Sequence, residues 1–535
     1  MLGVIALSLP ASVGLFVLVS GWRQSAAWLC AAANCGVLIL GIALASKTVH
    51  GAAVIALWGY LRVDALGAFM VVVIGAVAVL ASSVGVRYVR LELDGGRTTL
   101  RRAKLYCVLV QAFITTMLAA VLSSNLGVLW VAIEATTITT TFLVGHRRTR
   151  GSLEASWKYI VICTVGIGMA FLGTILIYLA GLHQGLHSFK ALDWTALMAN
   201  AHRLDPGTLR LGFALIVLGY GTKVGLAPMH SWLPDAHGEA PAPVSALMSG
   251  VLLTVAFYAI LRFKAIVDIA LGTQFPRILL VIFALSSLAV AASLLISQGN
   301  YKRMLAYSSI EHMGLIALGA AAGIPLAIAA VLLHILGHGL AKSVLFLASG
   351  EILEQEGSTQ IADIRALIAR RPALGGIFGF GLLALLGVPP FSLFSSELLM
   401  LRAEFKVGLG WAAGLALVAM AVIFASVTSH SRQLLLGSPS PDSALFADAS
   451  GDTDAASAQR VPSKTSAAFS VPLVAALIAC ACVGVLAWPL SSLLAAAAHV
   501  VALLCRRKQN PGIFHQAMSM LKPIGSWRKA TGWLW

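Results

Sequence analysis

Charge is the scarcest ingredient of this 535-residue chain: Asp, Glu, Lys and Arg together make up 11%, against 59% apolar residues. Ordinary soluble chains are roughly 45 to 50% apolar and about a quarter charged. No polar stretch is long enough for a soluble domain, which excludes soluble enzymes, nucleic-acid binders and secreted scaffolds. Acid is scarcer than base, with 21 Asp and Glu against 37 Lys and Arg and a net charge of +16. In a membrane protein that excess follows from the enrichment of Lys and Arg in cytoplasmic loops, so no nucleic-acid partner is expected. The seven cysteines, at 30, 35, 107, 163, 480, 482 and 505, include no C-x-x-C pair and no zinc or iron–sulfur spacing. No Gly-rich dinucleotide loop follows a strand either. The chain is therefore expected to carry no redox centre, cofactor or metal of its own. A basic region is also missing ahead of the first apolar run, which reads as a retained span and not as a cleaved signal peptide.

What is abundant is the apolar window of about 20 residues that a spanning helix needs. Such windows predict an all-α polytopic membrane protein of about fourteen spans. The first seven lie near 1–20, 25–45, 64–87, 105–122, 124–145, 158–181 and 209–227. Seven more follow near 242–263, 277–297, 304–322, 325–349, 373–396, 409–431 and 468–489. Loops after odd-numbered spans hold most of the basic residues, among them Arg87, Arg97, Arg102, Arg147, Arg150, Lys158, Lys302, Arg303 and Arg370. The positive-inside rule puts those loops in the cytoplasm and the N-terminus outside. The Ser-, Ala- and Asp-rich stretch 433–467 reads as a flexible loop. The basic tail 506–535, with Trp527, Trp533 and Trp535, sits on the wrong side for this count unless 490–505 adds a short span or the tail anchors at the membrane surface.

A charge near the bilayer centre costs at least about 2.5 to 3.5 kcal/mol, so each one demands an explanation. Glu134 lies mid-span in NLGVLWVAIEATTITTTFLVG, Lys223 in LIVLGYGTKVGLAPMHSWLPDAH, Lys342 at the end of HILGHGLAK, and Glu397 in LLGVPPFSLFSSELL. A structural ion pair between Glu134 and Lys223 is one reading. A proton relay is the other, because burial disfavours the ammonium while a neighbouring carboxylate favours it, so that moving the acid loads or unloads the base. His334, His338 and Lys342 recur at i, i+4 and i+8, placing three titratable groups on one helix stripe. H-x-x-x-H also suits a metal, but HILGH lacks the Glu of the HExxH hydrolases and offers no third ligand. Pro228 interrupts the seventh span, and Pro389 and Pro390 the twelfth, each within eight residues of Lys223 or Glu397. Broken helices in two halves of a transporter often mark ion sites.

The segments GTKVGLAPMHSWLPDAHGEAPAPVSALMSG, SSIEHMGLIALG, HILGHGLAKSVLFLASGEI and GVPPFSLFSSELL resemble the antiporter-like membrane subunits of respiratory complex I, Mrp antiporters and energy-converting hydrogenases. WVAIEATTITTTFLVG, EASWKY and Glu311 in SSIEHMG look most like the component F subunit of hydrogenase-4 and formate hydrogenlyase-type complexes. The resemblance implies inverted five-helix repeats at spans 4–8 and 9–13, within 105–264 and 265–432. Residues 1–104 would carry the first three spans and a basic loop, and 468–505 the last span. It further implies that Glu134 is the acidic partner and Lys223 the central proton carrier, with His334, His338 and Lys342 as the connecting path and Glu397 as the terminal carrier. His230, Asp235, His237, Thr254, Glu311 and His312 would be accessory. Thr254 stands where many relatives have Lys or His.

The function so implied is proton translocation by a membrane subunit of a redox complex in a bacterial inner membrane. The [NiFe] and iron–sulfur centres or quinone would lie in partner subunits. Na+ in place of protons is a possible coupling ion; a cation/proton antiporter without redox input, a scaffold for a catalytic module and a metalloenzyme using His334 and His338 are the competing readings.

Overall fold

The computed structural model describes residues 1–187, 189–437, 466–486 and 488–502. The expected loop and the Trp-bearing tail fall almost wholly outside the described residues. Helices α1 (Leu2–Ser20), α2 (Gln24–Thr48), α3 (Ala65–Asp94), α4 (Leu100–Leu122), α5 (Leu126–Val144) and α6 (Arg150–His183) come first. The short α7 (Trp194–Ala199) precedes α8 (Pro206–Val224), α9 (Trp232–Glu239), α10 (Ala242–Leu247) and α11 (Leu253–Leu271). Then come α12 (Gln274–Leu295), α13 (Tyr301–Ala322), α14 (Pro325–Glu356), α15 (Leu367–Arg370), α16 (Pro372–Leu385), α17 (Ser392–Lys406) and α18 (Gly410–Leu436). Helices α19 (Ala467–Val485) and α20 (Trp488–Val501) complete the described chain. One departure from an all-helical molecule is a small hairpin, β1 (Val54–Ala56) against β2 (Leu61–Val63), paired antiparallel.

Helix starts follow local chemistry. The side chains of Asp64, Asn125, Asp205 and Asn300 accept from backbone N–H groups of the first turns of α3, α5, α8 and α13, satisfying donors that have no partner inside a helix. Among the described residues, 11 helical segments are long and apolar enough to cross a membrane. Three of the fourteen expected spans fall outside that set for identifiable reasons. The seventh and twelfth are interrupted, and the tenth, α13, is loaded with polar side chains.

The interruptions lie where the prolines predict them. Helix α8 ends at Val224 with Gly225 in the left-handed region (φ 84°), and Pro228 follows a cis bond before α9 begins at Trp232. That second helix lies between the spans expected near 209–227 and 242–263. Helix α16 stops at Leu385, the Pro389–Pro390 bond is cis, and α17 starts at Ser392. Exposed backbone is not tolerated in hydrocarbon, and the first break is served from its neighbour: Ala227 N donates to Ser287 Oγ at 2.9 Å.

Helix α14 lies at the centre, packed against α3, α10, α13, α16, α17, α19 and α20. It and the segment Ala242–Leu271 are buried throughout their apolar windows, whereas α1, α18 and α19 expose most of theirs. The bundle thus hides its polar groups on the inner helices and turns its apolar outer helices to lipid. At one end Arg87 meets Glu351 at 2.8 Å, Arg97 meets Glu354 at 2.7 Å and Arg370 meets Glu356 at 2.7 Å. The sequence places these residues in loops on one side of the membrane, whereas Arg87, the three glutamates and Arg370 lie in α3, α14 and α15.

Candidate functional site

Ending α8 at Val224 places Lys223 in its last turn, where the carbonyl end of the helix favours a cation. The side chain is fully buried. Its ammonium donates to Thr137 Oγ1 at 2.9 Å and to the Tyr159 hydroxyl, and it lies 4.7 Å from the centre of that ring. Thr137 in turn donates to Glu134 Oε2 at 3.3 Å. Lys223 and Glu134 are therefore joined through one hydroxyl and do not form the direct ion pair that the sequence suggested. Their neighbours Thr136, Thr139 and Thr141 return their hydroxyls to carbonyls of α5, whereas Thr140 also meets the Tyr159 hydroxyl at 2.5 Å, so Thr137 and Thr140 are the two that reach outward. Glu134 is partly exposed on the outer face of α5.

A second cluster forms around α14. Lys342 is fully buried and donates to Leu305 O and Ser308 Oγ of α13, both at 2.5 Å. Ser309 beside it bonds Ser249 at 2.8 Å. Ser249 lies in Met248–Leu252, a wide turn where the ordinary helical hydrogen-bond ladder of this span lapses. His334 lies two turns before Lys342 and is also fully buried. Its Nε2 is 3.0 Å from His312 Nδ1, and its Nδ1 is 2.9 Å from Ser396 Oγ on α17. The Ser396 hydroxyl donates to Leu393 O at 2.8 Å.

His338 stands between them on the stripe, its ring 5.2 Å from that of His312, and both of its nitrogens lack a hydrogen-bond partner among the described residues. Glu397 brings a carboxylate oxygen within 4.8 Å of ligand nitrogens of His312 and His334. Helices α13, α14 and α17 thus converge on His312, His334 and Glu397.

The other residues singled out in the sequence are placed as follows. Glu311 is buried on α13, next to His312 in the chain. His237 is buried, its ring nitrogens have no hydrogen-bond partner among the described residues, and it is stacked on Phe346 of α14 at 5.0 Å. Thr254 is buried, but its hydroxyl is taken by Val251 O at 2.8 Å. His230 is only partly buried, within the α8–α9 break. Asp235 lies at the basic end of the bundle in a cleft of about 400 Å³, held between Lys158 and Arg303 at 3.1 Å each. No side-chain hydrogen bond among the described residues links the Lys223 cluster to the Lys342 cluster.

Several participants were missed. The hydroxyls of Thr137, Tyr159, Ser308 and Ser396 carry no charge to draw attention, although Thr137 lies at i+3 from Glu134. Lys302 is fully buried at the start of α13, where the sequence placed it in a loop. Helix α11 runs on to Leu271, so Lys264 and Asp268, expected beyond the span, form a buried ion pair four residues apart.

The transmembrane-domain model described as NADH:quinone oxidoreductase/Mrp antiporter matches residues 123–424, which include every residue of both clusters. A hydrogenase-4 component F homolog of Methylacidiphilum infernorum is 38% identical over 384 residues, covering 72% of this chain and 80% of that protein. Hydrogenase-4 component B of Escherichia coli is 32% identical over 68% of this chain, which spans only 54% of that relative's length. A subunit of the membrane-bound sulfane sulfur reductase, an archaeal respiratory membrane complex, superposes with a TM-score of 0.80 at 23% identity over 94% of this chain and 97% of its own, and so shares its fold. With fold, interrupted helices and matched residues in agreement, the chain belongs to the NADH:quinone oxidoreductase/Mrp antiporter family of multi-pass, antiporter-like membrane subunits.

Proposed function

We propose that this chain carries protons across a bacterial inner membrane as one subunit of a multi-subunit redox complex of the hydrogenase-4 or NADH:quinone oxidoreductase type. One observation carries the reading: Lys223 and Lys342 are both fully buried without a carboxylate in direct contact, each held by hydroxyl or carbonyl oxygens. A buried ammonium without a counter-ion is costly, whereas a neutral amine in the same place is not, so both sites are poised to exchange a proton. Thr137 accepts from Lys223 and donates to Glu134, which makes it a one-hydroxyl wire between base and acid. On Lys342 the proton is passed through His338, His312 and His334 to Glu397, the terminal carrier toward the outside.

Movement of Glu134, which is partly exposed, against a neighbouring subunit would alter the charge seen by Lys223 and so couple the carrier to the rest of the complex. Redox chemistry, on [NiFe] and iron–sulfur centres or quinone, is assigned to partner subunits, in keeping with the relatives that bear the hydrogenase-4 name. The test is the intact complex in proteoliposomes with Lys223→Ala. Electron transfer should persist without proton uptake, and pumping at the wild-type rate would remove the assignment.

A further inference from the structure

The sequence offers two imidazoles at i, i+4 on α14 and no third metal ligand. The fold supplies a different set. His312 from α13, His334 from α14 and Glu397 from α17 place one ligand atom each within 4.8 Å of one another. We infer that these three residues form a binding site for a divalent transition-metal ion of the zinc class, and that the metal occupies the nitrogens through which the proton would otherwise pass.

Donor identity favours this ion. Two neutral imidazoles and one carboxylate with an open fourth position is a set that zinc takes in its accessible sites, whereas magnesium and calcium call for an all-oxygen cage. Spacing agrees as well. Tetrahedral zinc with Zn–N near 2.0–2.1 Å separates two ligand nitrogens by about 3.3 Å. His312 Nδ1 and His334 Nε2 are 3.0 Å apart, so the rings need to part by a few tenths of an ångström. Rotation of the Glu397 carboxylate closes the remaining edge.

Protonation also follows from the geometry. Because the Ser396 hydroxyl donates to Leu393 O, its oxygen is left to accept from His334, which puts the His334 proton on Nδ1. Nε2 of a neutral His334 is then a bare lone pair facing His312. An imidazole whose second nitrogen donates to a fixed acceptor is the usual arrangement of a metal ligand, since it sets the tautomer and the ring angle. His312 presently donates from Nδ1, and its Nε2 has no hydrogen-bond partner among the described residues. The ring can therefore shift its proton to Nε2 and free Nδ1 for the ion. Entry is through the acid: both histidines are buried, but Glu397 is partly exposed.

The site stands on geometry alone; only the statement that metal blocks the path rests on the proton-carrier reading. The full-length chain, purified in detergent without a polyhistidine tag, is titrated with Zn2+ and, for geometry, with Co2+ followed by its visible spectrum. One tight site per chain with a tetrahedral Co2+ spectrum is expected. Its affinity should fall at least tenfold in His334→Gln and again in Glu397→Gln, and change less than about twofold in His338→Gln, since that imidazole lies outside the set. His312→Asn provides a second ligand deletion if His334→Gln folds poorly. No tight site in the wild type, or wild-type affinity retained in the His334 and Glu397 variants, overturns the inference. Proton flow in the reconstituted complex is a separate arm. Zn2+ bound tightly with proton flow unchanged keeps the metal site and sinks the route through His334.

Discussion

Lys223 and Glu134 communicate through Thr137 and do not touch: the ammonium donates to the hydroxyl at 2.9 Å and the hydroxyl donates to the carboxylate at 3.3 Å. An ion pair in direct contact would hold its proton on the lysine. A hydroxyl between the two lets a small shift of α5 against α8 change how strongly the acid is felt, without first breaking a salt bridge.

That arrangement predicts an asymmetry at position 137. Thr137→Val keeps volume and branching but removes the hydroxyl, leaving Lys223 one partner short, a loss of about 1 to 3 kcal/mol for a buried donor. Proton uptake by the reconstituted complex should fall by about tenfold or more, which is about 1.4 kcal/mol of barrier. Thr137→Ser should retain most of the rate. Equal rates in the two variants would show that the hydroxyl is not in the path.

A second expectation reverses the ranking read from sequence, where His338 stood on the main stripe and His312 was accessory. His312 bonds His334 directly, whereas His338 makes no hydrogen bond among the described residues. Proton flow measured with a pH-sensitive dye in vesicles should suffer more from His312→Gln than from His338→Gln. The opposite order would place the proton route along α14 alone.

What the sequence reveals and what it hides divide along a physical line. Buried charges and prolines are legible because each is expensive in hydrocarbon, so Glu134, Lys223, Lys342, Glu397 and both breaks stood out against the apolar background. Hydroxyls are cheap there, since a Ser or Thr can return its proton to a carbonyl of its own helix, and in TTITTT only the i+3 spacing from Glu134 sets Thr137 apart from its neighbours. Partners from other helices are equally silent: the approach of Glu397 and His312 to His334 depends on how α13, α14 and α17 pack. The pair Lys264 and Asp268 had a visible i, i+4 spacing, but ending the eighth span at residue 263 left both outside it.

The contact between α6 and α8 makes a prediction about positioning. A Cβ on Gly219 would collide with the backbone nitrogen of Ala170 and lie 2.6 Å from Gly166 O, and a Cβ on Gly166 would in turn meet the Thr222 side chain at 2.5 Å. Close approach of backbones through small residues is how membrane helices associate. Gly219→Ala should therefore push α8 away, carrying Lys223 off Thr137 and Tyr159, at a cost of about 1 to 3 kcal/mol. Gly168→Ala on the same α6 meets nothing within 4 Å and should be neutral or slightly stabilising. Thermal unfolding in detergent together with proton uptake checks both, and a harmless Gly219→Ala would contradict the close-packed interface.

The last prediction concerns a charge pair that the proton reading does not use. Arg262 on α11 donates to both carboxylate oxygens of Asp64 at 2.6 Å, and its guanidinium packs 4.3 Å from the ring of Trp194 and 4.8 Å from that of Tyr258. Asp64 also caps α3 by accepting from Gly67 N at 2.8 Å. Arg262 is too enclosed to find water if its partner is lost, so Asp64→Ala should cost about 3 to 5 kcal/mol for an uncompensated buried charge, plus about 1 kcal/mol for the cap. Asp64→Asn spares the cap and should cost less than Asp64→Ala. In an Arg262→Met background the buried Asp64 carboxylate is itself the unmatched charge, so Asp64→Asn should cost little there, or stabilise, and its effect should be far smaller than in the wild type. A double-mutant cycle on unfolding in detergent measures that difference. Effects that add to within about 0.5 kcal/mol would mean the two residues act independently, and the pair would then not be what fastens α11 to the start of α3.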